Sequence, residues 1–402
     1  MLRKVHRRPF TILTTEGYLT YKRYILRPVD EDSKRNLWER YRLKSVVPMD
    51  AYLGIDHIPF HVTCDMALRI VRCAITTDSY HTAERMMEEF LGIRISDDTI
   101  QRLVNFVGSL VWKRDQEMAS KALTEYNAAD IRASHVRGRI PNGSLTLYLQ
   151  MDGAMFNTVG KGKEGSSWRE NKLAVAFKST DLIPCWTNNG ELCYRIGKRE
   201  YACSVDGIDD FRAQLVRLVM RNSIMEAHNV VIISDGAAWI RKTRELLFPF
   251  AIQILDLFHL KENVSKFAQH IFSNDKEKSV PWTKKVCLML EDGKWRQVLE
   301  IDVICSYKEK ETPPGIVNLY SYIWNNRDNI DYPTYKKRGY FVGSGAIESA
   351  NKTVMQRRLK ESGMRWRTDL ARGVITLRCK LCSNLWDTEV VPWIKENYRK
   401  GR

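Results

Sequence analysis

The chain has 402 residues, 44% hydrophobic and 28% charged, which describes a folded protein of two or three domains and excludes a disordered one. Lys and Arg number 64 against 48 Asp and Glu, giving +16 and a pI near 9.4, an excess that favours a polyanionic partner because each neutralised phosphate releases condensed counterions. No run reaches the roughly 18 to 20 apolar residues of a spanning helix, the basic start Met1–Arg8 lacks the apolar core of a signal peptide, and nine scattered cysteines fit free thiols in a reducing, cytoplasmic setting.

Residues 1–60 are expected to form an N-terminal hairpin region. Two β-rich runs within residues 9–28 flank Glu16-Gly17, and a polar segment, Asp30–Arg42, follows. Residues 61–143 then turn helical. Ala67, Leu68, Val71 and Ala74 space as one amphipathic helix, and Tyr80, Ala83, Met87 and Phe90 as a second that stops at Gly92. Ser96 caps a third, with Ile100, Leu103, Val104 and Val107 on its buried side. Helix, short turn and capped helix is the pattern of a helix-turn-helix. Its exposed face carries Thr99, Gln101, Arg102 and Asn105, side chains able to reach phosphates or base edges, although Asp97 and Asp98 at the helix start repel phosphates. A further helix from residue 109 and a basic connector (Arg132, Arg137, Arg139) end at Pro141-Asn142-Gly143, a domain boundary.

The remainder, residues 144–402, has another rhythm. Leu145, Leu147, Leu149 and Met151 alternate with Thr146, Tyr148 and Gln150 in a half-buried strand that ends at Asp152-Gly153. Leu173, Val175 and Phe177 mark a second strand, and Tyr201–Val205 a third. A helix over Phe211–Val219 precedes the wholly apolar run Val230–Ile233, as expected of a strand covered on both faces. That run ends at Ser234-Asp235-Gly236 before another helix, and a fifth strand, Ile252–Leu255, ends at Asp256-Leu257-Phe258-His259. Residues 260–340 read as an all-α insertion. Beyond it, Gly343-Ser344-Gly345 opens a helix on which Glu348, Lys352 and Met355 share a face at 3.6 residues per turn, with Asn351 beside them. Cys379-x-x-Cys382 has no second pair at zinc spacing and reads as two thiols on a helix.

Asp152 and Asp235 each stand where an apolar strand stops. A lone Asp-Gly is an ordinary turn; two at neighbouring strand ends, with Glu348, place three carboxylates where they repel one another unless hard cations neutralise them. Oxygen-only ligation selects Mg²⁺ or Mn²⁺, and two such ions about 3.5–4 Å apart clamp the attacking and leaving oxygens of a phosphoryl displacement. The order of strand Asp, strand Asp and helix Glu on three strands, helix, strand, helix, strand is the RNase H-like α/β arrangement. A protein that only grips DNA through residues 65–108, and an RNase H-fold nuclease of repair or recombination, are the rival readings.

These motifs, with Gly363-Met364-Arg365-Trp366, resemble bacterial insertion-sequence DDE transposases, in particular the groups named for the Kra and Lre elements. The resemblance covers residues 60–402. It implies Asp152, Asp235 and Glu348 as a metal-binding catalytic triad, with His259 beside the site. From the residues themselves, Lys352 stands one turn behind Glu348 as a phosphate contact, Trp366 either stacks on an unpaired base or belongs to the core, and Arg357, Arg358, Arg365 and Arg367 either face phosphates or form a solvated basic face. The expected partners are terminal inverted repeats and target DNA, with at least two subunits, one per element end, no membrane, and a prokaryotic cytoplasm.

Overall fold

The computed structural model describes residues 2–41, 45–52, 58–127, 145–159, 167–190 and 192–399; the connector holding Arg132, Arg137, Arg139 and Pro141-Asn142-Gly143 lies outside them. The chain divides into two compact units, Met1–Arg114 with Arg357–Arg402, and Asp115–Gln356. This differs from the expected boundaries at 60 and 143. The C-terminal helices, read as part of 144–402, pack with the N-terminal unit because the helix Thr368–Cys382 is buried nearly all round and needs helices on several sides.

In the first unit, β1 (Leu2–Thr14) and β2 (Gly17–Pro28) form an antiparallel ribbon with a bulge between Lys4 and His6. The polar segment is helical as α1 (Glu31–Tyr41), and α2 (Pro48–Tyr52) packs on β2. Three longer helices follow, α3 (Cys64–Thr76), α4 (Tyr80–Leu91) and α5 (Asp97–Glu125). Ser79 caps α4, which ends at Gly92 in the left-handed region (φ 63°). Ser96 Oγ accepts the Thr99 N–H at 3.3 Å and starts α5. α5 runs through Gly108 without the expected break, since that glycine serves a helix crossing. A Cβ there would sit 2.8 Å from the Cα of Gly373.

The second unit is α/β, built on a five-stranded mixed sheet of order β7-β4-β3-β8-β9. β3 (Thr146–Thr158) is central. β4 (Ser167–Lys178) and β7 (Glu200–Ser204) run antiparallel on one side, in the β3-β4 and β4-β7 pairings. β8 (Asn229–Ser234) and β9 (Ile252–Leu255) run parallel to β3 on the other. A separate hairpin, β5 (Leu182–Trp186) and β6 (Leu192–Ile196), interrupts the progression from β4 to β7. Two helices, α6 (Ile208–Arg221) and α7 (Ala238–Leu247), connect the parallel strands. Leu147, Leu149 and Met151 point with Val230 and Ile232 into a core closed by Phe211, Leu215, Ile240 and Leu247. The alternate residues, Tyr148, Gln150 and Asp152, therefore look to the other face.

From β9 the chain enters an all-α stretch: α8 (Leu257–Ile271), α9 (Lys276–Glu291) and four short helices ending at Lys337. It returns as α10 (Gly345–Ala350), followed by a π-helical turn, Asn351–Gln356. Among the described residues no helix is long and apolar enough to cross a membrane.

Candidate metal centre

The sheet register brings the strand-end acids level. Gln150 pairs with Ile233, and Ser234 with Leu255. Counting on two residues from the first pair and one from the second sets Asp152, Asp235 and Asp256 level with one another, where β8 and β9 end but midway along β3, which runs on to Thr158 instead of stopping at Asp152-Gly153 as expected. Each is held by local hydrogen bonds. Asp152 Oδ1 accepts the Gly153 N–H at 2.7 Å, and its Oδ2 accepts Asn351 Nδ2 at 2.6 Å. Asp235 Oδ1 takes the Ala237 N–H at 2.9 Å. Gly236 is in the left-handed region (φ 86°), and a Cβ there would meet Asn326 Oδ1 at 2.8 Å, so this turn needs glycine. Asp256, fully buried, caps α8 through the Phe258 N–H at 2.8 Å and accepts the Ser344 hydroxyl on its other oxygen.

α10 is clipped over these ends by Gln150, a buried amide within an apolar strand. Its Oε1 accepts the Ile347 N–H at 3.0 Å and its Nε2 donates to the Gly343 carbonyl at 3.3 Å. Glu348, next to Ile347, comes within 3.5 Å of Ser344 Oγ, the same hydroxyl that Asp256 holds. Asp256, His259 and Glu348 each offer one ligand atom, all within 4.8 Å of one another. His259 stands at the rim, Nε2 3.7 Å from Asp256 and Nδ1 3.7 Å from Glu262.

The charges feel one another. Burial pushes the Asp152 carboxyl above its ordinary value. The Gly153 N–H pulls it down, and the charge of Asp235 raises it again. Burial foremost, then the charge of Asp235 and more weakly that of Asp256, pushes up the Tyr322 phenol, which donates to the Asp235 carbonyl at 2.8 Å. A hard divalent cation fits this donor set, which is oxygen-rich with one imidazole. Asn351 Oδ1, buried beside Asp152 and without a partner among the described residues, adds an unused carbonyl oxygen. A second group, His81, Glu84 and Asp97, also lies within 4.8 Å, but at the surface of the first unit with two of its members exposed.

Several expectations change. Asp152, Asp235 and Glu348 do not themselves close to 4.8 Å; the set that does joins Glu348 to Asp256 and His259. Asp256 had received no role, although the strand ending in Asp that marked Asp152 and Asp235 marks it too. Glu348, Lys352 and Met355 do not share a face. The π-turn changes the period, so Met355 is fully buried while Glu348 and Lys352 are exposed.

Arg358 is 1% exposed, its guanidinium lying 4.3 Å from the Tyr80 ring and 5.0 Å from that of Trp366. It donates to the Ala74 carbonyl at 3.3 Å, and Arg378 donates to that of Ile75. Both cations thus sit at the C-terminus of α3, where the helix dipole favours them. Arg358 is a core residue of the first unit and faces no phosphate. Trp366, 6% exposed and edge-on to Tyr80, has no free ring face for a base. Arg357 and Arg365 are exposed. On α5, Arg102 pairs with Asp98 at 2.6 Å, and Thr99, Gln101 and Asn105 are half-buried. Arg102 and Asn105 line a groove of about 310 Å³ with Phe60, Phe106 and Lys113.

Over residues 5–382 the chain matches an uncharacterised protein family, UPF0236, and it belongs to that family. No curated protein matches it.

Proposed function

We propose that this protein is a DNA transposase of the DDE type, acting by metal-supported phosphoryl transfer on an RNase H-like sheet. One observation carries the reading: aspartates from three adjacent parallel strands stand level in the register, two just past the ends of β8 and β9 and one within β3, and Glu348 from a helix joins Asp256, in a chain of net charge +16. The strand order, with two antiparallel and two parallel pairings around β3, supports the RNase H-like assignment. The kinship with the Kra and Lre element groups is part of the same proposal.

In this reading Asp152, Asp235, Asp256 and Glu348 would hold Mg²⁺ or Mn²⁺, two ions in the working site, which would supply Lewis-acid stabilisation of charge building on the phosphodiester oxygens. The protein's own groups supply position. Gly153 and Asn351 lock the Asp152 carboxylate, and Gln150 fixes the helix of Glu348 against β3. His259, partly exposed at the rim with Nε2 3.7 Å from Asp256, would add its imidazole to the same ligand set. No Ser or Tyr nucleophile is required. α4 and α5, presenting Thr99, Gln101, Arg102 and Asn105, are assigned to the element ends, and two subunits act together, one per end.

The test is strand cleavage and joining by purified protein on DNA carrying the element's ends, with Mn²⁺ or Mg²⁺. Asp152→Ala, Asp235→Ala and Glu348→Ala should each abolish it while DNA binding persists. Activity undiminished in excess EDTA, or in Asp235→Ala, would defeat the proposal. Cutting that follows DNA structure and ignores end sequence would instead indicate a repair or recombination nuclease.

A further inference from the structure

The ribbon of β1 and β2 concentrates positive charge in a way that local packing does not explain. Between Leu2 and Pro28 lie seven Lys and Arg and one acid, Glu16. In the register Arg3 stands opposite Arg27, and Arg8 opposite Arg23. Like charges directly across a strand pair are destabilising, and a two-stranded ribbon has little stability to spare. Arg23 is neutralised by Asp50, which also takes the Tyr21 hydroxyl at 2.7 Å. Arg3, Lys4, Arg7, Arg8, Lys22 and Arg27 are exposed, and none forms an ion pair with a described residue.

Strand alternation sorts these cations onto two faces. Arg23 turns inward, its guanidinium 3.6 Å from the ring of buried Phe10. The other face gathers Lys4, Arg7 and Lys22 around Tyr24. Lys4 Nζ lies 3.4 Å and Arg7 Cζ 5.3 Å from the Tyr24 ring centroid, and Lys22 precedes Tyr24 by two positions on the same strand. The ring stays 39% exposed. The result is a solvent-facing aromatic with two cations at its ring and a third, Lys22, on the same face of the ribbon, their side chains long enough to reach outward to phosphates.

We propose that the β1–β2 ribbon is a duplex-DNA contact arm, with Lys4, Arg7 and Lys22 around Tyr24 as its phosphate-facing surface. Two strands about 4.8 Å apart fit the B-form major groove, about 12 Å wide; the deep, narrow major groove of RNA duplexes does not admit them. A membrane contact would use the exposed Leu2, Val5 and Leu19 beside the cations, and vesicle binding separates it from DNA. The inference shares with the proposed function the premise that DNA is the partner, and it uses none of the acids.

The experiment measures binding of the full-length protein to a duplex of arbitrary sequence by fluorescence anisotropy, from about 50 to about 200 mM KCl. In Lys4→Gln/Arg7→Gln/Lys22→Gln the slope of log K against log salt should become shallower by about two to three, because each lost phosphate contact removes about 0.9. Affinity should fall about tenfold or more. Lys22→Gln alone, which leaves Lys4 and Arg7 on Tyr24, should shift the slope by about one. The comparator Lys276→Gln/Lys284→Gln/Lys285→Gln removes the same charge from exposed positions of the second unit and should leave the slope nearly unchanged. Equal shifts in the two triple variants, or a ribbon variant that behaves like wild type, would overturn the arm. So would tighter binding to phosphatidylserine vesicles than to duplex, lost in the ribbon triple. If strand cleavage is absent from every protein while the slope change persists, the enzyme proposal fails and the arm stands. If cleavage is present and the slopes are equal, the arm alone fails.

Discussion

Asp256 is the residue on which structure and chemistry meet most closely. One of its oxygens caps α8, the other holds Ser344, and the group lies within ligand distance of Glu348 and His259. Replacement by Asn keeps an oxygen for the cap but removes the charge. Asp256→Asn should therefore unfold within about 1 kcal/mol of wild type, whereas Asp256→Ala should lose about 2 kcal/mol by forfeiting the cap and orphaning Ser344. Both should lose Mn²⁺ binding. Urea unfolding and calorimetric titration check the two halves, and Mn²⁺ bound at wild-type strength by Asp256→Asn would remove this aspartate from the site. Asp152 gives a pH signature of its own. Burial, and then the charge of Asp235, hold its carboxyl above the ordinary 3.8. Its proton is bound more tightly in the folded state, so its stabilising share is complete below that value and is lost as the pH rises through the raised one. In metal-free protein Asp152→Asn should thus gain stability relative to wild type as pH rises from acid to neutral. Urea midpoints in EDTA test this, and a relative loss would contradict it. Asp152 and Asp235 are legible because an apolar run followed by Asp-Gly is a visible pattern, although β3 itself continues to Thr158; Asp256 lacks the glycine. Arg358 and Trp366 were misjudged for another reason. The carbonyl that holds Arg358 belongs to Ala74, 284 positions away, and no local spacing reveals such a partner.

Among the elements, the legible features were those with short-range causes. Ser79, Gly92 and Ser96 set the ends of α4 and α5 through contacts within a few residues; the β3 alternation places Leu147, Leu149 and Met151 in the core but does not reveal the burial of Tyr148 and Gln150 on the opposite face, which packing from elsewhere in the chain covers. The π-turn Asn351–Gln356 was not legible, because its wider period comes from packing and not from composition. It has a consequence for the site: Asn351, at its start, delivers Nδ2 to Asp152. Gly108 shows how the same residue type misleads when read alone. In sequence it resembles a helix break, yet in α5 it is the point where the backbone meets Gly373. Gly108→Ala gains up to about 1 kcal/mol of helix propensity, but its Cβ would lie 2.8 Å from a backbone atom, where no side chain can move aside. Overpacking of that kind costs about 1–3 kcal/mol, so the variant should be net destabilised, as a lower urea midpoint would record. Gly236→Ala belongs to the same class, with a positive φ (86°) as well as a 2.8 Å contact to Asn326. It should lose stability and weaken Mn²⁺ binding together, since the turn it distorts carries Asp235; a variant with unchanged metal affinity would detach that turn from the site.

At the scale of the whole molecule, the acids and the basic ribbon belong to different compact units. The sequence could not show this division, because Arg357–Arg402 rejoins the first unit through contacts with residues far earlier in the chain, such as Tyr398 with Val62 and Arg378 with Ile75. The division makes a metal-specific prediction. An ion that binds the folded site and not the unfolded chain stabilises by mass action, about 2.7 kcal/mol at a hundredfold excess over Kd. Every residue of the candidate centre lies in Asp115–Gln356, so Mn²⁺ acts directly on that unit. Hydrogen exchange should then slow most at the amides of β3, β8, β9 and α10 when Mn²⁺ is added, with much less change in α3 or in the helix Thr368–Cys382. In Asp235→Ala the same addition should leave all of these amides nearly unaltered. Protection that rises equally in both units of the wild type would mean that the ion stabilises the chain by some route other than this centre. Protection that rises as strongly in Asp235→Ala would place the ion elsewhere.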